Sequence, residues 1–468
     1  MSDNWSLHKF GGSSLADAGC YERVAKYLMG LEGRRLGVVV SAMGGMTDSL
    51  LALVGLAERD DPLVVDELTA VGNRYAQTVE RLTTGQRRVA LLDAWGADAD
   101  DIRAVLADVT QRKAASQRSR DIVSGLGELW SARLLSALLN THEHPADWLD
   151  ARKVLVVSPA ELGPTVDWSK TQDNFDREVA GTHGTVVITG FIASDEEGLQ
   201  TTLGRNGSDY SAAIFAALAN ARDVTIWTDV DGVLSADPNQ VPDATVIHRM
   251  TYNEAMELAY FGAKVIHPQT LGPVIAKNIP LNIRNTFNAD HPGTRIGGHE
   301  SEVAGVKGIT AITGMALVNL EGAGMIGVPG TADRMFRALK NASVSVTLIS
   351  QASSEHSICI AVPELLASRA GDVIRDEFAE ELDAGQIQRV DVTESQSIVA
   401  VVGDGMAGTP GVAARFFTTL ADEGINIRAI AQGSSERNIS AVIESSDVAL
   451  ALRAAHAGFE LNVRTQND

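Results

Sequence analysis

The sequence predicts an α/β protein in which a largely parallel sheet, covered by helices on both faces, precedes a smaller duplicated unit. Short β-rich runs alternate with helical patterns through residues 1–300, which is typical of parallel strands joined by helices. Beyond residue 300 a block of residues recurs at a constant spacing of 81 positions, as between Gln351 and Gln432. We therefore expect a first domain over residues 1–300 and a repeat over residues 301–390 and 391–468.

The individual elements of the first domain follow in chain order. The β-rich runs are Leu36–Ser41, Thr185–Ile192, Val224–Trp227 and Leu281–Arg284. The helical patterns are Met46–Ala57, Gly127–Leu139, Ser208–Ala219 and Asn253–Ala263. Residues 63–117 are expected to form an all-helical insertion, and the glycine-containing polar stretch Gly297–Gly305 a linker.

Each copy of the repeat is expected to form a strand, a glycine turn, a helix, a second strand, a short Ser-Ser-Glu turn and a third strand. Both glycine turns read G-x-G-x-x-G, at Gly322/Gly324/Gly327 and Gly403/Gly405/Gly408. This motif is typical of a dinucleotide site, but the acidic residue expected about twenty positions later is absent, since Thr347 and Arg428 stand there. The second strand is followed at once by a third, which predicts a hairpin. The βαββ pattern instead resembles the ACT domain, a small amino-acid-binding module. Whether the two ACT units are separate or interleaved stays open at this point.

The composition of the chain restricts its possible binding partners and its cellular compartment. The chain has 468 residues, 45% of them apolar, and a net charge of −21, which disfavours nucleic acid or an anionic membrane as a partner. The two cysteines, Cys20 and Cys359, lie far apart, which predicts a reducing compartment without disulfides. The first glycine turn follows after ten residues, so no signal peptide is expected, and we expect no apolar run of membrane-spanning length. The predicted location is the cytoplasm.

Two glycine-rich turns carry the predicted chemistry. Lys9 ends a predicted strand that opens into Gly11–Ser13, so backbone N–H groups, a helix N-terminus and a mobile charge can hold a phosphate together. The second turn, Leu203–Asp209, brings an arginine, a serine and a carboxylate to the start of another helix. The sequence contains no G-x-x-x-x-G-K-S/T motif and no His-Arg-Asp or Asp-Phe-Gly, which excludes P-loop and protein-kinase chemistry. Phosphoryl transfer to an anionic small molecule is the reaction that these turns favour.

Further motifs accompany the two turns along nearly the whole chain. They are Lys9–Ser14, Val40–Ala42, Gly127–Glu128, Leu203–Tyr210, Trp227–Val230 and Phe261–Pro268. In this order they resemble the aspartate kinase family, most closely the kinase halves of bifunctional aspartokinase–homoserine dehydrogenases. The resemblance implies an amino-acid-kinase-like parallel-sheet catalytic domain followed by two βαββαβ ACT regulatory domains. Because the chain ends at Asp468, no dehydrogenase part is expected.

The activity implied by the resemblance is transfer of the ATP γ-phosphoryl group to the side-chain carboxylate of L-aspartate, the first step towards lysine, threonine and methionine. A carboxylate with a pKa of about 4 is already ionised at neutral pH, so this reaction needs no general base. The protein has to supply positioning and charge neutralisation.

The same resemblance implies roles for individual residues. Lys9 is expected to bridge the β- and γ-phosphates, with Asp209 orienting Lys9 or capping its helix together with Ser208. Arg205 is expected to bind the substrate α-carboxylate and Glu128 its α-ammonium, although Glu128 could equally be a first-turn helix acid. The remaining backbone donors and pocket residues are Gly11, Gly12, Ser13, Ser41 and Thr47.

The nucleotide contacts implied by the family are Thr228, Asp229, Leu234, Asn239, Lys264 and Val265. Many relatives carry tyrosine at Leu234 and arginine at Asn239, so we expect weaker ATP binding here. Mg²⁺ is expected to be held mostly by phosphate oxygens and water, without a set of protein ligands.

Regulation is expected at the repeated units. In threonine-sensitive relatives the glutamines that match Gln351 and Gln432 contact the feedback inhibitor, although a side-chain amide here could also cap the hairpin turn. Inhibition by threonine is predicted, with lysine as the second candidate, and a homo-oligomer paired through ACT domains. Two alternatives stay open, a catalytically silent ACT amino-acid sensor and a kinase for another acidic amino acid.

Overall fold

The structure, a computed structural model, describes residues 5–31, 35–161, 163–182, 184–261, 267–298, 305–351 and 355–462. Internal contacts divide the chain into two units. The first contains residues 1–233, 248–252 and 265–300, and the second contains residues 234–247, 253–264 and 301–468.

Strands of the first unit alternate with helices, as predicted. The strands are β1 (Trp5–Phe10), β2 (Arg35–Val40), β3 (Ala146–Leu149), β4 (Val157–Ser158), β5 (Thr165–Val166), β6 (Thr185–Thr189), β7 (Ile192–Ser194), β8 (Gln200–Thr202), β9 (Asp223–Thr228), β10 (Arg249–Thr251), β11 (Leu281–Asn285) and β12 (Thr294–Gly297). The helices up to residue 300 are, in chain order, α1 (Ala18–Met29), α2 (Met46–Glu58), α3 (Leu63–Leu82), α4 (Gly85–Arg112), α5 (Gln117–Thr141), α6 (Trp168–Val179), α7 (Gly207–Leu218), α8 (Tyr252–Tyr260) and α9 (Pro268–Lys277). Of these, α8 belongs almost entirely to the second unit. Between residues 63 and 117 the chain forms two helices, α3 and α4, which end at Arg112.

The main sheet of the described residues has the order β10-β12-β11-β9-β1-β2-β6-β3. Strands from β11 to β3 run parallel, and β12 is antiparallel to β11. β1 is wholly buried, and the chain extends the sheet to β2 on one side of it and to β9 on the other. In open parallel sheets, such a reversal of strand order opens a ligand crevice at the carboxyl ends of the strands.

Two sequence predictions need correction here. The run predicted as one strand from Thr185 to Ile192 is two strands, because Phe191 has φ 67° and breaks the ladder between β6 and β7. The helix predicted from Gly127 begins ten residues earlier, at Gln117, where Ser116 accepts a capping hydrogen bond from Ser119 N.

The long helix α5 also corrects the expectation about membrane-spanning runs. By length and composition α5 could cross a membrane, and 83% of its most apolar window is buried inside the protein. Its residues pack in the core, where Trp130 and Leu135 are almost fully buried, so α5 is a core helix of the first unit.

The second unit is built from the duplicated segments. Its strands are β13 (Gly308–Glu321), β14 (Leu348–Gln351), β15 (Ser357–Pro363), β16 (Arg389–Val402), β17 (Ala429–Gln432) and β18 (Asn438–Glu444). Its further helices are α10 (Thr331–Asn341), α11 (Ala367–Glu377), α12 (Ala379–Asp383), α13 (Val412–Asp422) and α14 (Val448–Gly458). β14 and β15 pair antiparallel, so the hairpin predicted in place of a dinucleotide crossover is present.

The two copies share their longest strands. The sheet order is β14-β15-β13-β16-β18-β17, and β13 and β16 pair antiparallel along their length, with an irregularity between Ile312 and Met315. The second half of β13 pairs with β15, whereas the second half of β16 pairs with β18. Each copy therefore completes its sheet with a strand segment from the other.

A segment preceding the repeat packs into the same unit. Ala236 and Val241 belong to the apolar core formed by β16, β18, α13 and α14. The Ser235 hydroxyl lies 2.9 Å from His456 Nε2, and α8 contributes Glu254, which is wholly buried and accepts a hydrogen bond from Asp404 N at 2.9 Å. The second unit thus includes chain from both sides of β10.

Candidate active site

The carboxyl ends of β1, β2 and β9 meet at one edge of the main sheet, because Phe10 lies opposite both Val40 and Trp227. Lys9 is the penultimate residue of β1, and the chain then turns through Gly11 and Gly12 into a short 3-10 turn that begins at Ser13. The Ser14 N–H donates to Gly11 O at 3.0 Å, which closes this turn.

The predicted cation and carboxylate of the two glycine turns are in direct contact. Lys9 Nζ lies 2.5 Å from Asp209 Oδ1, and both side chains are nearly buried, with 11% and 13% exposure. Asp209 lies in the first turn of α7, where the N-cap residue is Asn206 and makes no side-chain capping bond. The side chain of Asp209 therefore faces the lysine, and the capping role considered for it is not what the structure shows.

Glu128 lies in the middle of α5 and not in a first helical turn, which excludes the simple helix-acid interpretation. Gly127 allows the close approach, since a Cβ there would lie 2.7 Å from Ala42 Cβ. Glu128 Oε1 accepts a hydrogen bond from Ala42 N at 3.3 Å, whereas Oε2 is buried without a hydrogen-bond partner among the described residues. Burial raises the pKa of this carboxyl to about 8, against smaller lowering effects of the Ala42 N–H and Lys9.

One cavity of about 380 Å³ joins these groups. Its lining contains the predicted residues Lys9, Gly12, Ser41, Thr47, Glu128, Arg205, Ser208 and Asp209. It also contains Ala42, Gly204, Asn206 and Gly207, which belong to the predicted motifs without an assigned role. The lining residues that sequence reasoning missed are Met43, Gly45, Asp48 and Phe191. The cavity therefore brings together groups from β1, the loop after β2, α5 and the loop before α7.

Phe191 is the least expected of the missed residues. It has a positive φ of 67°, which is rare for an aromatic side chain, and its N–H donates to Ser211 Oγ of α7 at 3.0 Å. Its carbonyl accepts from Leu203 N at 2.8 Å, so Phe191 anchors the loop that carries Arg205. Strained backbone of this kind clusters at ligand sites, but the only signal in the sequence was the preceding glycine.

The predicted nucleotide residues are only partly assembled. Thr228 ends β9 next to Gly11, and its hydroxyl donates to the Asp229 carboxylate at 3.2 Å. Leu234 and Asn239 belong to the segment that groups with the second unit, where Asn239 Nδ2 donates to Asp237 Oδ1 at 2.9 Å. Lys264 and Val265 lie outside the described residues.

The two glutamines proposed for regulation end equivalent edge strands. Gln351 ends β14 and Gln432 ends β17, and both are exposed. The Ser350 hydroxyl donates to Ile430 O at 3.0 Å, so the two edge strands lie next to each other.

Among the described residues, no group of three or more His, Cys, Asp and Glu side chains is placed to hold a metal ion. The cavity combines a fixed ammonium group, an arginine, backbone N–H groups of glycine turns and an unsatisfied carboxylate. This set suits an anionic ligand with an ammonium group next to the phosphates of a second ligand.

Comparison with known proteins agrees with this geometry. The model of the amino acid kinase family matches residues 4–285, and the ACT domain model matches residues 318–378 and 399–459. The chain is 43% identical to bifunctional aspartokinase/homoserine dehydrogenase 1, chloroplastic, of Zea mays, over 99% of this chain and 51% of that protein. It thus spans about half the length of the curated relatives it matches.

Solved structures resemble this chain over nearly its whole length. E. coli aspartokinase III in complex with aspartate and ADP (R-state) superposes with a TM-score of 0.81 at 28% identity, covering 98% of this chain and 100% of that chain. The same enzyme in complex with lysine and aspartate (T-state) gives a TM-score of 0.75 at 28% identity, covering 97% of this chain and 99% of that one.

Proposed function

Because the chain belongs to the amino acid kinase family, we propose that it is an aspartate kinase, which transfers the γ-phosphoryl group of ATP to the side-chain carboxylate of L-aspartate. The products are ADP and 4-phospho-L-aspartate. The observation that carries the proposal is the single cavity in which Lys9, paired with Asp209, lies with Glu128 and Arg205. In this cavity Glu128 would meet the α-ammonium of aspartate, Arg205 its α-carboxylate and Lys9 the phosphates of the donor.

The chemical step needs no proton transfer to begin. The attacking carboxylate is ionised at neutral pH, and in a loose transition state negative charge spreads over the oxygens of the transferred group. Lys9 would stabilise this charge, and Asp209, 2.5 Å from its Nζ, holds the ammonium group in place. The N–H groups of the turn after β1 would contribute fixed dipoles aimed at the same oxygens.

Recognition of aspartate would use its positively charged α-ammonium group and its negatively charged α-carboxylate. Glu128 Oε2, buried without a partner among the described residues, would accept the α-ammonium, whereas Arg205 would bind the α-carboxylate in a bidentate pair. Ser41, Thr47 and Ser208 line the same cavity and would bind the remaining polar atoms. Burial disfavours the ionised form of Glu128 unless a cation pairs with it, so Glu128 would select for ligands with an ammonium group.

Nucleotide binding is assigned to Thr228 and Asp229 at the end of β9, and to Leu234, Asn239, Lys264 and Val265. Mg²⁺ would bridge phosphate oxygens and neutralise their charge. The cavity carboxylates suit only partial coordination of this ion, since Asp209 already pairs with Lys9.

Regulation by an amino acid is proposed at the ends of β14 and β17, through Gln351 and Gln432. Threonine is the first candidate inhibitor and lysine the second, the latter bound in the T-state structure of E. coli aspartokinase III. Titrating the kinase activity of wild-type protein and of Gln351→Ala and Gln432→Ala with each amino acid tests this assignment. Indifference of the wild-type protein to both amino acids would remove it.

Assembly and location complete the proposal. A homo-oligomer paired through the ACT domains would cover the exposed apolar side chains of Ile349 on β14 and Ile430 on β17. Both cysteines are free thiols, which suits a reducing compartment such as the cytoplasm.

The decisive test is ADP release measured with aspartate, with glutamate and with neither. An aspartate kinase releases ADP only with aspartate, whereas a kinase for another acidic amino acid responds to glutamate, and a silent sensor binds an amino acid without turnover. Lys9→Ala is expected to lower kcat about 100-fold or more, since it removes charge stabilisation in the transition state. Near-normal turnover of Lys9→Ala would contradict its assigned role.

A further inference from the structure

The helical insertion α3–α4 delivers an arginine to the edge of the cavity. Arg74 of α3 donates from Nη2 to Gly44 O at 2.5 Å and to Ala16 O at 3.2 Å. Ala16 follows the glycine turn after β1, and Gly44 belongs to the loop after β2. One guanidinium group therefore joins the two loops that follow the central strands.

These loops approach each other most closely at Gly44, which has no side chain. A Cβ on Gly44 would lie 2.9 Å from Gly12 O and 3.2 Å from Ala16 Cβ, so the backbones are as close as glycine allows. Both Gly12 and the neighbouring Gly45 line the cavity. A small displacement at this contact moves both walls of the site.

The guanidinium also fixes the direction of backbone dipoles. In a trans peptide the carbonyl of one residue and the N–H of the next point in opposite directions. Because Gly44 O is turned towards Arg74, the Gly45 N–H is turned away from it. Arg74 Nη1 lies 3.8 Å from the position of a Cβ on Gly45, so the positive charge is also next to this corner of the cavity.

We propose that Arg74 is a positioning residue for phosphoryl transfer, which holds the loops after β1 and β2 in register so that Lys9 and the loop N–H groups meet the transferred group. This inference rests on the proposed function. Arg205, which would bind the α-carboxylate of aspartate, lies outside the two loops that Arg74 joins, so we expect Arg74 to affect kcat more than KM for aspartate.

The chain offers a matched control on the same helix. Arg81 lies two turns after Arg74, and its Nη2 is 3.5 Å from Glu22 Oε2 in an exposed ion pair with α1. Arg81→Ala removes the same side chain from α3 without reaching either loop. Its kcat is expected to equal that of the wild-type protein.

The experiment compares kcat, both KM values and Tm of wild-type protein, Arg74→Ala, Arg74→Lys and Arg81→Ala in the ADP-release assay. Arg74→Ala is expected to lose about 100-fold in kcat, with a much smaller change in KM for aspartate. Guanidinium chloride, far below its unfolding concentration, is expected to restore part of kcat to Arg74→Ala only, whereas sodium chloride is not. A merely structural arginine would change Tm without this rescue.

The outcomes separate the two proposals. Wild-type protein without aspartate-dependent ADP release overturns the proposed function, and with it the role of Arg74 in that reaction. Active wild-type protein together with undiminished kcat in Arg74→Ala, or a loss without guanidinium rescue, overturns the role of Arg74 alone. If Arg74→Ala does not fold, Arg74→Lys decides: a lower kcat at unchanged Tm supports the role, and wild-type kcat refutes it.

Discussion

The raised pKa of Glu128 predicts how kcat/KM for aspartate depends on pH. Its carboxyl is buried in the cavity, and burial raises its pKa to about 8. In the role proposed for Glu128, only its ionised form pairs with the α-ammonium of aspartate. The proposal therefore predicts that the free protein at neutral pH loses a proton from Glu128 when aspartate binds.

The size of the effect follows from this pKa. With a pKa of about 8, roughly one Glu128 in ten is ionised at pH 7. The value of kcat/KM for aspartate at pH 7 should therefore be about tenfold below its plateau at higher pH, which corresponds to about 1.4 kcal/mol. Binding at pH 7 should release nearly one proton, because the bound ammonium group keeps Glu128 ionised.

The assay is ADP release at aspartate concentrations well below KM, from pH 6 to the pH at which the substrate ammonium itself begins to titrate. Glu128→Gln is expected to lower kcat/KM and to abolish the rise with pH. The control Glu58→Gln changes a carboxylate of α2 that pairs with Arg120, and it should keep the rise. A kcat/KM that is flat across this range in the wild-type protein would refute the reasoning.

The same carboxyl links stability to pH. Between pH 4.5 and about 8 the native Glu128 holds a proton that the unfolded chain has lost. Its contribution to the free energy of unfolding therefore falls as the pH rises through this window, and is smallest above pH 8. Urea unfolding of Glu128→Gln should lack this decrease.

Three further variants test other parts of the structure. Arg205→Lys should raise KM for aspartate about tenfold while KM for ATP stays constant, because lysine cannot form a bidentate pair; equal rises in both would contradict this assignment. Leu234→Tyr combined with Asn239→Arg should tighten ATP binding, measured by nucleotide titration, and an unchanged affinity would argue against nucleotide contact there. Glu254→Ala should lower the free energy of unfolding by about 3 kcal/mol in urea, since it takes a partner from the buried Lys307 ammonium 3.5 Å away; a loss of a few tenths would show that the pair contributes little.

Several features of the site were readable in the sequence because they depend on local chemistry. The combination of Lys9 before two glycines with Arg205 and Asp209 around another glycine turn favours the binding of an anion. Their pairing across 200 positions follows from the parallel sheet, in which β1 and the strands beside it end at one edge. The repeat was visible for a similar reason, since a duplicated unit preserves its turn residues.

Other features depend on contacts that no local pattern contains. Nothing around Arg74 distinguishes it from the other arginines of α3 and α4, and Phe191 is an ordinary aromatic residue until its φ is known. The starting point of α5 was misjudged because its apolar pattern weakens before Gly127. The pKa of Glu128 belongs to the cavity and not to the sequence around it.

The alternation of strands and helices, the two glycine-rich turns and the duplicated unit can be read from the sequence, because each depends on residues close together in the chain. The fold is needed to see that Glu128 is a buried carboxyl with a raised pKa, that Arg74 joins the loops after β1 and β2, and that β13 and β16 are shared between the two copies. Burial, electrostatic environment and strand exchange arise from packing between distant segments, so they exist only once the chain is folded.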